Sequence, residues 1–193
     1  MRKLGNWLAL VPVKQGSGGK SRLAAVLDAQ ARARLAQDMA QHVVATLGAC
    51  AQVGEIGVVS ATRVDWWQGP TWHDRGRGLN AELTACRAIA GVRPLLIVLG
   101  DLPLVNATDL AALLDAATEH GVAMATDRAG TGTNALALAD GRPFSFRFGQ
   151  DSRHLHQSQD PAMPVLTLMG LAADLDTRED LAFLFEQGFA VPG

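Results

Sequence analysis

Lys14, Lys20 and Arg22 stand in one glycine-rich run, KQGSGGKSR (14–22), directly after the apolar stretch WLALVPV (7–13). Glycines let backbone amides approach phosphate oxygens, and lysines neutralise their charge. The run therefore suits a polyphosphate. It ends in Gly-Lys-Ser but is not a P-loop, which needs a glycine five positions before the glycine of that triplet. Counting back from Gly19 gives Lys14, and Gly16 sits at the wrong spacing. A flexible surface loop is the competing reading. Three glycines and three cations directly after a buried strand speak against it.

Carboxylates form the second group. Asp101 follows PLLIVLG (94–100). An acid at that point can hold Mg²⁺, which takes one or two carboxylates together with phosphate oxygens; a helix or turn cap is the alternative. Asp174 and Asp176 lie two apart in AADLDTRED (172–180). If the chain is extended there, both point to one side and can complete a divalent-metal site with Asp101. Acids also favour a helix N-terminus, but Thr177, Glu179 and Asp180 already supply that role without Asp174.

A third group offers donors to a second anion. DRAGTGTNAL (127–136) carries backbone amides and the hydroxyls of Thr131 and Thr133. RFGQDSRHLH (147–156) adds Arg147, Gly149, Ser152 and Arg153. Amide, hydroxyl and guanidinium donors of this kind suit a phosphate or carboxylate; a hairpin turn is the rival reading of the first stretch. His154 and His156 read as a solvated helix start. Trp66, Trp67 and Trp72 read as a surface packing cluster. No Ser/His/Asp or Cys/His arrangement points to a covalent intermediate.

The elements needed to position these groups are legible as an alternation. Strands are expected at 7–13, 55–61, 94–100, 121–127, 133–139 and 164–170. Helices are expected at 28–47, where Leu35, Met39, Val43 and Leu47 step by four along one face, and at 78–90. A third should start at Asn106, with Asp109 three residues on, and a last one at Thr177, closed by Asp180 as a capping box. Such alternation predicts an α/β fold: a doubly wound, mostly parallel, Rossmann-like sheet. These sheets bind ligands at the carboxyl ends of their strands, where the first loop and Asp101 would lie.

Composition narrows the class. The 193 residues fit one domain over 1–193. The formal net charge of -2 gives no basic field for nucleic acid. Cys50 and Cys86 lack metal spacing and read as reduced thiols. The apolar start contains Pro12, is closed by Lys14 and has no cleavage site after it, so it reads as a strand and not a leader. No run approaches the roughly 18 apolar residues of a membrane span. The expectation is a cytoplasmic protein without a membrane partner, and a homodimer is compatible with these features.

Taken together, VPVK…GKSRLA (11–25), GLNAEL (78–83), GDLPL (100–104), DRAGTGTNAL (127–136), FGQDS…H (148–154) and DLDTREDL (174–181) resemble the CofC/FbiD guanylyltransferases of the MobA-like nucleotidyltransferase superfamily. The pieces span nearly the whole chain in the family order. The resemblance implies the sheet of the MobA-like nucleotide-diphospho-sugar transferase type. It implies an enzyme that joins GTP to 2-phospho-L-lactate, phosphoenolpyruvate or 3-phospho-D-glycerate with release of pyrophosphate, for assembly of the deazaflavin coenzyme F-420. It also implies roles. Lys14, Lys20 and Asp101 would be catalytic. Pro12, Val13, Lys14, Gly19, Lys20, Gly78 and Asn80 would bind the nucleotide. Asp101, Asp174 and Asp176 would hold Mg²⁺, and Thr133, Gly149 and Ser152 would bind the phospho-acid. Gly19 and Gly100 stand where the family often has alanine, and the tryptophans match no family feature. A superfamily enzyme acting on a molybdenum cofactor or a sugar phosphate is the alternative; a non-catalytic nucleotide-binding protein is another.

Overall fold

The computed structural model describes residues 5–13 and 20–191. Its elements in order are β1 (Trp7–Pro12), a 3₁₀ turn (Ser21–Leu23), α1 (Ala29–Ala49), β2 (Val53–Ser60), β3 (Thr71–His73) and α2 (Leu79–Ala90). Then come β4 (Leu95–Val98), α3 (Ala107–His120), β5 (Val122–Thr126), β6 (Thr133–Leu138), α4 (Ser152–Gln157), β7 (Val165–Leu166), α5 (Met169–Ala172) and α6 (Arg178–Glu186). The strands form one sheet in the order β3-β2-β1-β4-β6-β5-β7. β1 pairs in parallel with β2 and β4, β2 with β3, and β5 with β7, whereas β6 runs antiparallel to β4 and β5.

Central strands bury both faces, which is why they read as near-continuous apolar runs. In β4, Leu96 and Val98 face one core, and Leu95 and Ile97 face the other. Each such burial contributes about 1.5–3 kcal/mol. On the first face, α1 packs Val43, Val44 and Leu47 and α3 packs Leu110, Leu113 and Leu114. Alanines 123, 125, 135 and 137 of β5 and β6 lie on that same face, where small side chains leave room for helices to approach. On the second face, α2 packs Leu83 and Cys86 with Phe146 and Phe148. Helices on both faces confirm the doubly wound arrangement.

Local signals place the helix starts. Asp28 accepts from the Ala31 amide at 2.7 Å, and Asn106 from the Asp109 amide at 2.9 Å. Thr177 and Asp180 form the reciprocal capping box. Two expectations need correction, and one strand, β3, had no counterpart among them. The run 164–170 is a strand only at Val165–Leu166 and then turns into α5. Gly170 permits this, because a Cβ there would lie 2.6 Å from the Leu104 carbonyl oxygen. β3 is a short edge strand with no apolar alternation to reveal it. The tryptophans are not one cluster: Trp66 and Trp67 pack against the first face and Trp72 against the second. Among the described residues, no helix is long and apolar enough to cross a membrane. Both cysteines are free and buried.

Candidate active site

The chain leaves β1 outward to β2 and β3, then returns to β4 on the other side of β1. The segments after β1 and β4 therefore lead to opposite sides of the strand order, the switch point at which such sheets take ligands at the carboxyl ends of their strands. Lys20 comes from the first loop and Asp101 from the second. The Lys20 Nζ lies 2.7 Å from Asp101 Oδ2 and 2.7 Å from Asp176 Oδ1. Burial opposes the charge on Lys20, but the two carboxylates outweigh it and hold the ammonium pKa above its ordinary value. Lys20 adopts φ 56°, in the left-handed region, and such backbone conformations cost of order 1 kcal/mol and cluster at functional sites.

A third small core locks these groups together. Leu23 follows Lys20 and packs with Leu35 and Met39 of α1 and with Leu175, Leu181 and Leu184. The Leu175 amide donates to the Asp101 carbonyl at 3.1 Å. Leu175 is wholly buried, while its neighbours Asp174 and Asp176 are part-exposed. The alternation expected of an extended segment is thus present. Asp176 reaches Lys20, and Asp174 accepts from Asn134 Nδ2 at 3.1 Å. Burial, then the charges of Asp101 and Asp176, push the Asp174 carboxyl up to about 6 against the opposing Asn134 hydrogen bond.

Asp101 Oδ1 is buried with no hydrogen-bond partner among the described residues. An orphaned carboxylate oxygen beside two more acids, one of them raised in pKa, fits a hard divalent cation. Among the described residues, no three acidic, histidine or cysteine side chains form a ready-made metal cage. Instead the Lys20 ammonium occupies the point between Asp101 and Asp176.

Pro12 ends β1, and the Val13 amide continues the pairing to the Val59 carbonyl at 2.9 Å. Lys14 and Gly19 lie outside the described residues. Gly78 caps α2 at φ 92°. Asn80 is tied to the backbone of Phe148, donating to its carbonyl at 3.0 Å and accepting from its amide at 2.7 Å. That bidentate link joins α2 to Gly149, whose φ of 123° strongly favours glycine. The Ser152 amide donates back to the Gly149 carbonyl at 3.2 Å, and the Arg153 amide donates to the Thr131 carbonyl at 3.0 Å. The 149–153 segment therefore docks beside Thr131, two residues before Thr133 at the start of β6. Thr133 is 3% exposed, with Oγ1 3.0 Å from His156 Nδ1. His156 is wholly buried, a correction to its reading as solvated; His154 is exposed as expected.

Residues that sequence reasoning did not single out hold the site in shape. Asn134 ties β6 to the Asp174 segment and to the Leu171 carbonyl at 3.0 Å. Its signal was a polar residue inside an apolar strand. Glu82, 2% exposed, accepts from the Arg75 and Arg77 amides, each at 3.0 Å, and from the Arg77 guanidinium at 2.8 Å. It therefore shapes the 75–78 loop in front of α2. The Arg77 hydrogen bonds hold its carboxyl at about 2, below the free value of 4.5. A depressed carboxyl stabilises the fold above its unfolded pKa, and that contribution is lost as pH falls. Glu82→Gln should unfold at lower urea than the parent at pH 7. The gap should narrow as pH drops from 4.5 towards 2; a gap independent of pH would refute the charge-based role.

A concavity of about 650 Å³ lies at the opposite end of the sheet, lined by Trp7, Gln52, Pro94, Gly121 and Asp140. It holds none of the groups above. A smaller one of about 260 Å³ lies beside Asn80, between Thr84, Phe144, Phe146 and Arg147. The Lys20 ammonium, the carboxylates and the topological switch coincide instead at the strand ends.

Comparison with known proteins agrees with this geometry. The family described as guanylyl transferase CofC like matches residues 7–190. A phosphoenolpyruvate guanylyltransferase of Chloroflexus aggregans is 40% identical over 185 residues, covering 90% of this chain and 89% of that protein. One of Sphaerobacter thermophilus is 38% identical over 190 residues, covering 90% of each. Among solved structures, a protein of the nucleotide-diphospho-sugar transferase type from Desulfovibrio desulfuricans superposes with TM-score 0.72 at 16% identity, covering 95% of this chain and 88% of that one. A 4-diphosphocytidyl-2C-methyl-D-erythritol synthase from Anaerococcus prevotii gives 0.57 at 13%, covering 95% and 99%. At these identities the structural likeness speaks to the fold.

Proposed function

This chain belongs to the CofC-like guanylyl transferase family, and from that premise we propose that it joins GTP to phosphoenolpyruvate. It is a nucleotidyltransferase, and the relatives that carry the phosphoenolpyruvate name support that acid among the three the sequence suggested. A phosphate oxygen of the acid attacks the α-phosphorus of GTP. The bond from that phosphorus to the β-phosphate oxygen breaks, and pyrophosphate leaves with the electron pair. The product is a guanylylated acid, an intermediate suited to the assembly of coenzyme F-420 that the resemblance implies.

The observation that carries this reading is the meeting of Lys20, Asp101 and Asp176 at the switch point, with Asp101 Oδ1 unpaired among the described residues. Two anions must be brought together, so charge neutralisation and positioning supply most of the rate. Lys20 neutralises phosphate charge. Asp101, Asp174 and Asp176 are the residues that would hold Mg²⁺, which when bound supplies charge neutralisation to phosphate oxygens. A phosphate dianion is already a competent nucleophile, so no general base is required. Lys14 and Gly19 would extend the triphosphate site, Gly78 and Asn80 would lie near the nucleoside, and Thr133, Gly149 and Ser152 would hold the acid.

The test is pyrophosphate release by the purified protein with Mg²⁺, across GTP, ATP and CTP and each of the three phospho-acids. Release with GTP and phosphoenolpyruvate alone is expected. Release only with 2-phospho-L-lactate or 3-phospho-D-glycerate, or with none of the three acids, would overturn the acceptor, and release with ATP in place of GTP would overturn the base. Thr133→Val should raise the KM for the acid about tenfold, roughly one hydrogen bond to an anion. An equal rise in the KM for GTP would refute Thr133 as an acid contact.

A further inference from the structure

His156 lies wholly buried on α4, with its ring centroid 5.6 Å from Phe144 and 5.0 Å from Phe148. The Arg147 backbone N–H is 2.8 Å from its Nε2. An amide N–H can only donate, so Nε2 is the bare acceptor. Burial lowers the imidazole pKa to about 4, so the ring is neutral at neutral pH. A neutral ring with a bare Nε2 carries its proton on Nδ1. That nitrogen is 3.0 Å from Thr133 Oγ1, so the hydroxyl oxygen accepts. The hydroxyl's own proton is then left with Met124 Sδ at 3.7 Å, and a thioether is a weak acceptor.

We propose that His156 is a positioning residue that turns the Thr133 hydroxyl into a donor reserved for the anionic acid, through the Nδ1–H tautomer set by the Arg147 amide. This rests on the reading of Thr133 as part of the acid site. The opposite tautomer would present a bare Nδ1. It would take the Thr133 proton and leave oxygen lone pairs facing an anion that only accepts. The fixed tautomer removes that competitor. Moving the proton from sulfur to a carboxylate or phosphate oxygen then exchanges a weak bond for a charge-assisted one. The amide that sets the tautomer lies two residues before Gly149, so the segment read as holding the acid also orients its donor.

Two measurements test this. Long-range ¹H–¹⁵N spectra of the histidine rings in the unmodified protein at pH 7 should show His156 protonated on Nδ1 and bare on Nε2. An Nε2–H ring or an imidazolium overturns the proposal whatever the kinetics. Steady-state kinetics of two variants supply the second. In His156→Gln the amide reaches the Nε2 position and abandons Thr133, and the KM for the acid should rise about tenfold with the KM for GTP little changed. In His156→Asn the amide overlies Nδ1 and can still donate to Thr133, so the rise should be smaller. Equal acid KM values for the two variants, or parallel rises for both substrates, overturn it. Nδ1–H spectra together with an unchanged acid KM in Thr133→Val would instead remove the acid-site reading and leave His156 structural.

Discussion

Asp101→Ala should lower pyrophosphate release by at least about 10²–10³-fold at saturating Mg²⁺, the cost of removing one group that stabilises developing charge. The fold should survive. Asp101 is linked to its surroundings through the backbone, since its carbonyl accepts from Leu175, and alanine keeps that bond. The lost side chain is a quarter exposed and leaves no sealed cavity. Its contact with Lys20 disappears, but so does one like charge beside Asp174. Circular dichroism should therefore match the parent while turnover is lost. Parent-like turnover at high Mg²⁺ would refute Asp101 as a carboxylate that holds metal against phosphate.

Lys20→Met should show two effects that separate under metal control. Turnover should fall about 10²–10³-fold, because phosphate charge loses a neutralising partner. In EDTA the variant should also melt earlier. Lys20 is 9% exposed, and its side chain is the cation between Asp101 and Asp176. Asp176 is half exposed, so that pair contributes little. The more sheltered contact to Asp101 lies between a surface pair and a buried one, about 1–2 kcal/mol. For a chain of this size that corresponds to roughly 2–8 °C. The raised lysine pKa keeps this stabilisation in full below the free value of 10.5, to be lost as pH rises through the folded one. Millimolar Mg²⁺ should restore much of the melting temperature, since a divalent ion can neutralise the same carboxylates, but it should not restore turnover. If Mg²⁺ leaves the Lys20→Met melt where EDTA put it, the three acids do not share a cation site.

Much of the site was legible where one short stretch carried both the chemistry and its position. The first loop announced itself by glycines and lysines after an apolar strand. Asp101 was legible as the first acid beyond a run buried on both faces. Spacing alone placed Asp174 and Asp176 on one side, and Leu175 between them turns into the core as that spacing requires. Helix starts were equally local, because a cap and its amide lie three residues apart.

Other features had no local signal. Glu82 looked like an ordinary helix acid until its partners at 75 and 77 folded back onto it. His156 looked solvated until Phe144 and Phe148 closed over it. Asn134 was an oddity in a strand until a segment 40 positions away supplied Asp174.

The sequence by itself determined which residues carry charge, where strands and helices alternate, and which charged residues follow the strands. These properties depend on residue type and on neighbours within a few positions. The tertiary structure alone decided that Lys20 stands between Asp101 and Asp176, 81 and 156 positions away. It also decided that β6 runs against its neighbours and that Thr133 answers to a buried imidazole. Those outcomes depend on sheet order and on the packing of distant segments, which no spacing along the chain encodes.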